Sequence, residues 1–173
     1  TATFDYKITA AISLIANPFL DYFLSIFTLL GSVEVYLLSS FIILILLYKG
    51  RKVKFILYYC LFFFFIFFIE YTGKTYLHQL RPPLEFNRNL FKFGILHIKA
   101  PYSFPSGHML KFTFILGAIY YSLLKWKVNS ENLYKVLFIA LIMIMALSRV
   151  YLGAHWMSDI IGGFLCATLT LFL

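Results

Sequence analysis

Apolar residues run through this chain in long blocks, broken only by short polar stretches. Residues 33–48 are apolar and stop at Lys49-Gly50-Arg51-Lys52. Residues 53–72 follow, with Leu61 to Ile69 built of Phe, Leu and Ile. Residues 106–124 form another block, ending at Lys125-Trp126-Lys127, and residues 132–149 and 155–173 form two more. Roughly 20 apolar residues cross a bilayer as a helix, so each block predicts a membrane span. The N-terminal part is less regular. Residues 6–30 are apolar but carry Asn17-Pro18 and Asp21, and Pro interrupts a helical ladder. An interfacial helix over 4–16 and a short span over 18–30 are expected there. The pattern predicts an all-α integral membrane protein, a bundle of five to six transmembrane helices in a single domain, 1–173.

Composition agrees. The 173 residues are 62% hydrophobic, above the 45–50% usual in soluble domains, and the mean hydropathy is +0.86. Lys plus Arg exceed Asp plus Glu by 15 to 7. In a membrane chain such cations set topology and touch anionic headgroups, and no nucleic-acid motif accompanies them. Cys60 and Cys166 lie inside apolar blocks and read as small buried side chains. No His/Cys cluster or group of carboxylates suggests a metal, so neither metal nor cofactor is expected. No secretory leader is read at the N-terminus, and the sequence carries no signal of oligomeric state.

Residues 73–105 form the one long polar segment, holding four of the five prolines as well as His78 and His97. Long ordered loops are usually functional. Around it lie three polar groups: Lys74 and Arg81-Pro82; Pro105-Ser106-Gly107-His108; and Ser148-Arg149, His155 and Asp159. Alternating spans bring all three to one membrane face. They supply two histidines, three fixed cations and a carboxylate, an inventory suited to holding a phosphate and moving it through a histidine.

Lys74 and Arg81 are seven apart, about two turns on one face of a continuing helix, and both suit phosphate oxygens. They also admit a plain structural reading, with Lys74 paired to Glu70 four residues earlier and Arg81 a solvated interfacial cation. Ser106 stands where a helix begins and is a favoured N-cap. The first N–H groups of that helix point at any anion there. Gly107 permits close approach to the backbone, and His108 is placed to give a proton to a leaving oxygen. His155 and Asp159, at i, i+4, share a helical face. A carboxylate behind an imidazole fixes its tautomer and leaves a neutral nucleophile. Arg149 is the natural third cation. His78 and His97 lack a carboxylate at useful spacing and read as bystanders.

These three groups match the three-part signature of the type-2 phosphatidic acid phosphatase family, relatives of the vanadium haloperoxidases, over residues 74–159. The resemblance implies a metal-independent lipid phosphatase of the phosphoric monoester class. His155 would form a phosphohistidine, His108 would protonate the leaving oxygen and then activate water, and Asp159 would orient His155. Lys74, Arg81, Ser106, Gly107 and Arg149 would bind phosphate. The compact chain also looks similar to bacterial lipid A 1-phosphatases, which implies the 1-phosphate of lipid A, a lipopolysaccharide component, as substrate. Arg88, Lys92, Lys99 and Lys111 would meet a polyanionic headgroup. Undecaprenyl pyrophosphate and phosphatidylglycerophosphate fit nearly as well, and a lipid phosphotransferase uses the same intermediate. A non-enzymatic membrane scaffold would need a broken site, and these motifs are intact. The denser basic loops, Lys49 to Lys54 and Lys125 to Lys135, lie opposite the site, with Lys7 assigned to the same side. The positive-inside rule then predicts a bacterial inner (cytoplasmic) membrane protein with its active site facing the periplasm.

Overall fold

The computed structural model describes residues 2–91, 102–125 and 131–172. Lys92, His97, Lys99, Trp126, Lys127 and the rest of the segments between lie outside them. Among the described residues there are seven α-helices and no strand: α1 (Ala2–Ser13), α2 (Pro18–Phe27), α3 (Val33–Lys49), α4 (Val53–Tyr76), α5 (Gly107–Lys125), α6 (Glu131–Tyr151) and α7 (Met157–Phe172).

The N-terminal third is shaped by its caps. Asn17 accepts from the Leu20 N–H at 3.0 Å, with Pro18 in the first turn of α2. A 3-10 turn, Thr28–Gly31, follows. Ser32 then restarts the chain by accepting from the Val35 N–H at 3.3 Å, and α3 leaves at 48° to the preceding segment. The expected span over 18–30 is thus the first half of a bent pair with α3. The expected interfacial helix is α1, shorter than foreseen by three residues at its C-terminal end.

By length and apolarity alone, two helices qualify as spans, Val53–Tyr76 and Asn132–Tyr151, and the bent pair makes three. The sequence count of five to six also included α5 and α7. α7 has 16 residues, a rise of ~24 Å against a hydrocarbon core of ~30 Å. α5 carries His108 and Lys111 in its first turns. α7 therefore falls short of a span by length alone, while α5 carries polar residues in its first turns.

α5 is the central element. One core joins Leu110, Phe114 and Ile115 of α5 to Tyr36, Tyr59, Ile66 and Ala167. A second joins Met109 and Phe112 to Ile142, Met145, Val150 and Ile160. The phenylalanine run of α4 divides between two environments. Ile66 is fully buried and Phe63 stacks on Tyr36 at 4.9 Å, while Phe64 and Phe68 remain exposed, as suits a face turned to lipid. Cys60 and Cys166 are free thiols.

Candidate active site

The site forms where α4 ends, α5 begins and the chain turns from α6 into α7. α4 runs through Lys74 to Tyr76, so the polar segment begins later than residue 73. Arg81 lies beyond the helix. The expected two-turn face shared by Lys74 and Arg81 does not form, because the helix stops five residues before Arg81 and Pro82 disfavours helical geometry at its predecessor. Residues 77–86 are instead tied toward α7. Leu80 and Tyr102 form an isolated antiparallel bridge. The Leu80 carbonyl accepts from Trp156 Nε1 at 2.8 Å, and Gln79 Nε2 donates to Ser158 Oγ at 2.9 Å. His78 packs edge-on against Tyr102, with centroids 4.7 Å apart.

The Phe104–Pro105 peptide is cis and leads directly into α5. The Ser106 carbonyl accepts from the Leu110 N–H at 3.0 Å, and its own N–H donates to the Asp159 carbonyl at 3.1 Å. Its hydroxyl does not cap the helix as expected. Ser106 Oγ is buried without a partner. Gly107 does permit a close approach, but by Glu70: a Cβ there would overlap the Glu70 carboxylate. A Cβ on Gly31 would come within 2.9 Å of His108 Cβ, so the 3-10 turn walls the histidine.

His155 is not on α7. It sits in the turn before it, and the expected common helical face is replaced by a different construction. The Arg149 carbonyl accepts from the Ala154 and His155 N–H groups at 3.1 and 3.2 Å, which folds the chain back. Gly153 turns it at φ 64°, with Phe86 packed so close that a Cβ would overlap its carbonyl; this is the left-handed region that favours glycine. Asp159, in the first turn of α7, then places Oδ2 3.3 Å from His155 Nδ1 and accepts from the Trp156 N–H at 2.9 Å. Ser103 Oγ donates to Asp159 Oδ1 at 3.2 Å. With Nδ1 facing the carboxylate, Nε2 is the nitrogen left for chemistry. Burial, with Arg149, Arg81 and Lys74 nearby, holds the His155 imidazole well below its usual range. It is neutral at pH 7.

Arg149 is 5% exposed. Its Nη1 donates to Thr28 Oγ1 at 2.7 Å, and its Nε is buried without a partner. Lys74 Nζ donates to Glu70 Oε1 at 2.6 Å, and Lys111 Nζ to Glu70 Oε2 at 2.5 Å. The plain pairing of Lys74 with Glu70 is therefore present. Lys111 is 2% exposed, which corrects the expectation that it meets a headgroup. The Arg88 backbone N–H donates to the Leu152 carbonyl at 3.2 Å, and its Nε is buried without a partner.

Contacts tie Lys74, Ser106, Gly107, Arg149, His155 and Asp159 into this cluster, His108 is walled by Gly31, and Arg81 acts on His155 electrostatically. Sequence reasoning missed Thr28, Gly31, Ser103 and Trp156. It also missed Asp5, which is buried in α1 and accepts from the Ser158 N–H at 2.9 Å and Ser158 Oγ at 2.7 Å. Lys7, on the same helix, therefore lies near the site end and not opposite it. Glu70 alone was legible, as the i, i+4 partner of Lys74. No group of three or more His, Cys, Asp or Glu able to hold a metal occurs among the described residues.

The PAP2 superfamily matches residues 51–173. Phosphatidylglycerophosphatase B of Bacillus subtilis (strain 168) is 28% identical over 178 residues, spanning 98% of this chain and 80% of that protein. Among solved structures, a transmembrane PAP2 type phosphatidylglycerolphosphate phosphatase from Bacillus subtilis superposes with a TM-score of 0.82 at 26% identity, covering 99% of this chain and 82% of that one. Aquifex aeolicus LpxE superposes at 0.66 with 23% identity, covering 97% and 94%, a likeness of fold. The family match covers well over half of the chain and includes every motif residue of the site: this protein is a multi-pass membrane phosphatase of the PAP2 superfamily.

Proposed function

We propose that this protein removes a phosphate monoester from a lipid headgroup at the membrane surface through a phosphohistidine on His155. One observation carries the reading: a buried neutral imidazole, backed at Nδ1 by Asp159, stands among cations whose hydrogen-bonding capacity is unfilled. Arg149 Nε and Ser106 Oγ are both buried without partners, and buried polar groups are otherwise almost always satisfied. A phosphate would satisfy them.

In the first step His155 Nε2 attacks phosphorus. The N–P bond forms as the bond from phosphorus to the lipid oxygen breaks, and His108 gives that oxygen its proton. In the second step water attacks the phosphohistidine, His108 takes its proton, and phosphate leaves with His155 neutral again. Arg149, Arg81, Lys74, Ser106 Oγ and the Gly107 N–H stabilise charge on the three equatorial oxygens. No metal or cofactor enters either step.

The glycerophospholipid phosphatidylglycerophosphate is the substrate that the 28% identical relative supports. The lipid A 1-phosphate expectation draws only on the fold shared with LpxE. The deciding experiment is phosphate release by the purified protein from phosphatidylglycerophosphate, lipid A, undecaprenyl pyrophosphate and phosphatidate, with EDTA and with vanadate. Vanadate-sensitive, EDTA-resistant release, fastest from phosphatidylglycerophosphate, is expected; loss on chelation restored by a divalent ion overturns the mechanism. Adding an alcohol acceptor distinguishes hydrolase from phosphotransferase by its products.

The site is proposed to face the periplasm from the inner membrane. With the site cations Lys74, Arg81, Lys111 and Arg149 set aside, Lys49, Arg51, Lys52, Lys54 and Lys135 at the opposite end outnumber Lys7 and Arg88 at the site end among the described residues, which keeps the positive-inside sense. Cysteines at Asn87 and Lys52, in a background lacking Cys60 and Cys166, test it with an impermeant thiol reagent. Asn87→Cys should label in intact cells and Lys52→Cys only after permeabilisation; the reverse pattern inverts the orientation.

A further inference from the structure

Glu70 has no place in the three motifs, yet it lies at the centre of the phosphate site. Its two carboxylate oxygens are divided between two ammonium groups, Oε1 to Lys74 at 2.6 Å and Oε2 to Lys111 at 2.5 Å. The three residues are 3%, 7% and 2% exposed. The carboxylate lies against Gly107, so closely that a Cβ would overlap it, and Gly107 stands between Ser106 and His108. The triad therefore forms the floor under the first turn of α5, where phosphate is proposed to sit.

This arrangement raises a difficulty for Lys74. As a phosphate ligand it must offer its charge and its N–H bonds to the anion, but in the free protein an N–H bond is already given to Glu70. If Lys74 were the sole partner of Glu70, turning to phosphate would strand a buried carboxylate, and removing one partner from a buried ion pair is strongly unfavourable. Lys111 removes the difficulty. It holds the other oxygen of the same carboxylate, and it has a second anchor, its Nζ standing 5.7 Å from the centroid of the Phe67 ring, within cation–π range. Lys111 is thus the fixed partner and Lys74 the one that turns. Two lysines and one carboxylate also leave the triad with a net single positive charge, available to an incoming phosphate.

We propose that Glu70 and Lys111 are positioning residues that deliver Lys74 to the phosphate: Glu70 holds the Lys74 ammonium in the empty site, and Lys111 keeps Glu70 neutralised when Lys74 swings to the anion. The exchange deepens the phosphatase reading and rests on it. In this exchange Lys111 acts on the anion through Glu70, and Glu70 through Lys74. Removing the Lys111 charge and removing the Glu70 charge should therefore move anion affinity in opposite directions.

The test uses the full-length protein purified in detergent, with inhibition by vanadate as the reading of anion binding and the melting temperature recorded beside it. In Lys111→Met, Glu70 has only Lys74 left and keeps it. The vanadate inhibition constant should rise about tenfold, the loss of ~1.4 kcal/mol of anion binding, and KM for the lipid should rise more than kcat falls. Glu70→Gln keeps the side-chain shape and removes the negative charge. Vanadate should bind more tightly than to the unaltered protein, while kcat falls because product phosphate is held longer. The double variant should return to within about threefold of the unaltered inhibition constant. A residue that only maintained the fold would weaken vanadate binding in both single variants. That result, or a double variant no better than Lys111→Met, overturns the proposal. A structure of the unaltered protein with vanadate bound decides independently of any variant. Lys74 Nζ should contact the anion while Lys111 stays on Glu70, and a Lys74 that stays on Glu70 without touching vanadate refutes the exchange. An unaltered protein that releases no lipid phosphate and ignores vanadate would fail the phosphatase reading instead, so the two failures are told apart.

Discussion

Thr28→Val isolates one hydrogen bond from everything else at the site. Thr28 is 2% exposed and its Oγ1 accepts from Arg149 Nη1 at 2.7 Å. Valine has nearly the same shape, so the 3-10 turn keeps its packing, but the hydroxyl that receives the guanidinium is gone. A hydrogen bond to a charged group is worth ~1.5–3 kcal/mol. If the whole of it were expressed at the transition state, kcat/KM would fall roughly 10- to 150-fold. On the proposed mechanism Arg149 keeps its own bond to phosphate in the variant, so the expected loss is at the lower end, about tenfold. The assay is kcat/KM for phosphate release from the best lipid substrate, with three controls. Thr28→Ser, which restores the acceptor, should recover most of the rate. Arg149→Gln should cost more than Thr28→Val. Adding Thr28→Val to Arg149→Gln should cost almost nothing further, since a bond cannot be lost twice. Full additivity of the two losses, or an unaffected Thr28→Val protein, would refute the view that Thr28 acts through Arg149.

Three more outcomes are expected. His155→Ala should abolish turnover by several orders of magnitude while the protein still inserts with an unchanged circular dichroism spectrum; near-normal rates would exclude His155 as nucleophile. His108→Ala should cut phosphate release from a lipid far more than from an aryl phosphate, whose leaving oxygen needs no proton, and equal losses on both would remove His108 as general acid. Since the His155 imidazole is held below its usual range by burial and by Arg149, Arg81 and Lys74, its neutral, reactive form persists below pH 6.5. The acid limb of kcat/KM should accordingly lie under 6.5, and Arg81→Gln should move it upward. A limb at or above 6.5 in the unaltered protein, or a downward move in the variant, would contradict this electrostatic account.

What could be read from the sequence and what could not divide along physical lines. The apolar blocks of α4 and α6 were legible because a span is a local property of composition. So was the meeting of His155 with Asp159, although for an imperfect reason. The spacing suggested a common helical face, whereas the contact is made by a turn closed on the Arg149 carbonyl. Lys74 and Arg81 misled in the opposite way, since their spacing implied a helix that ends at Tyr76. Ser106 resembled an N-cap, but its hydroxyl is left free at the site. Thr28, Gly31 and Asp5 could not have been found, because each acts over more than 75 positions of sequence on a residue it resembles in no pattern. Glu70 was legible as the partner of Lys74 four residues on, but its second partner, Lys111, comes from another helix.

The bond between Asp5 and the start of α7 reaches beyond catalysis into how the protein can be handled. The family match begins at residue 51, and an engineer seeking a minimal enzyme would be tempted to trim toward it or to hang a purification tag on the first helix. Yet the Asp5 carboxylate takes both the N–H and the hydroxyl of Ser158, next to Asp159. α1 is in effect a clasp fastened to the start of α7 from outside the matched region. Shortened proteins that lack it would retain all three motifs in sequence and lose one of the fastenings that hold them in register, so a dead truncation would say little about the motifs themselves.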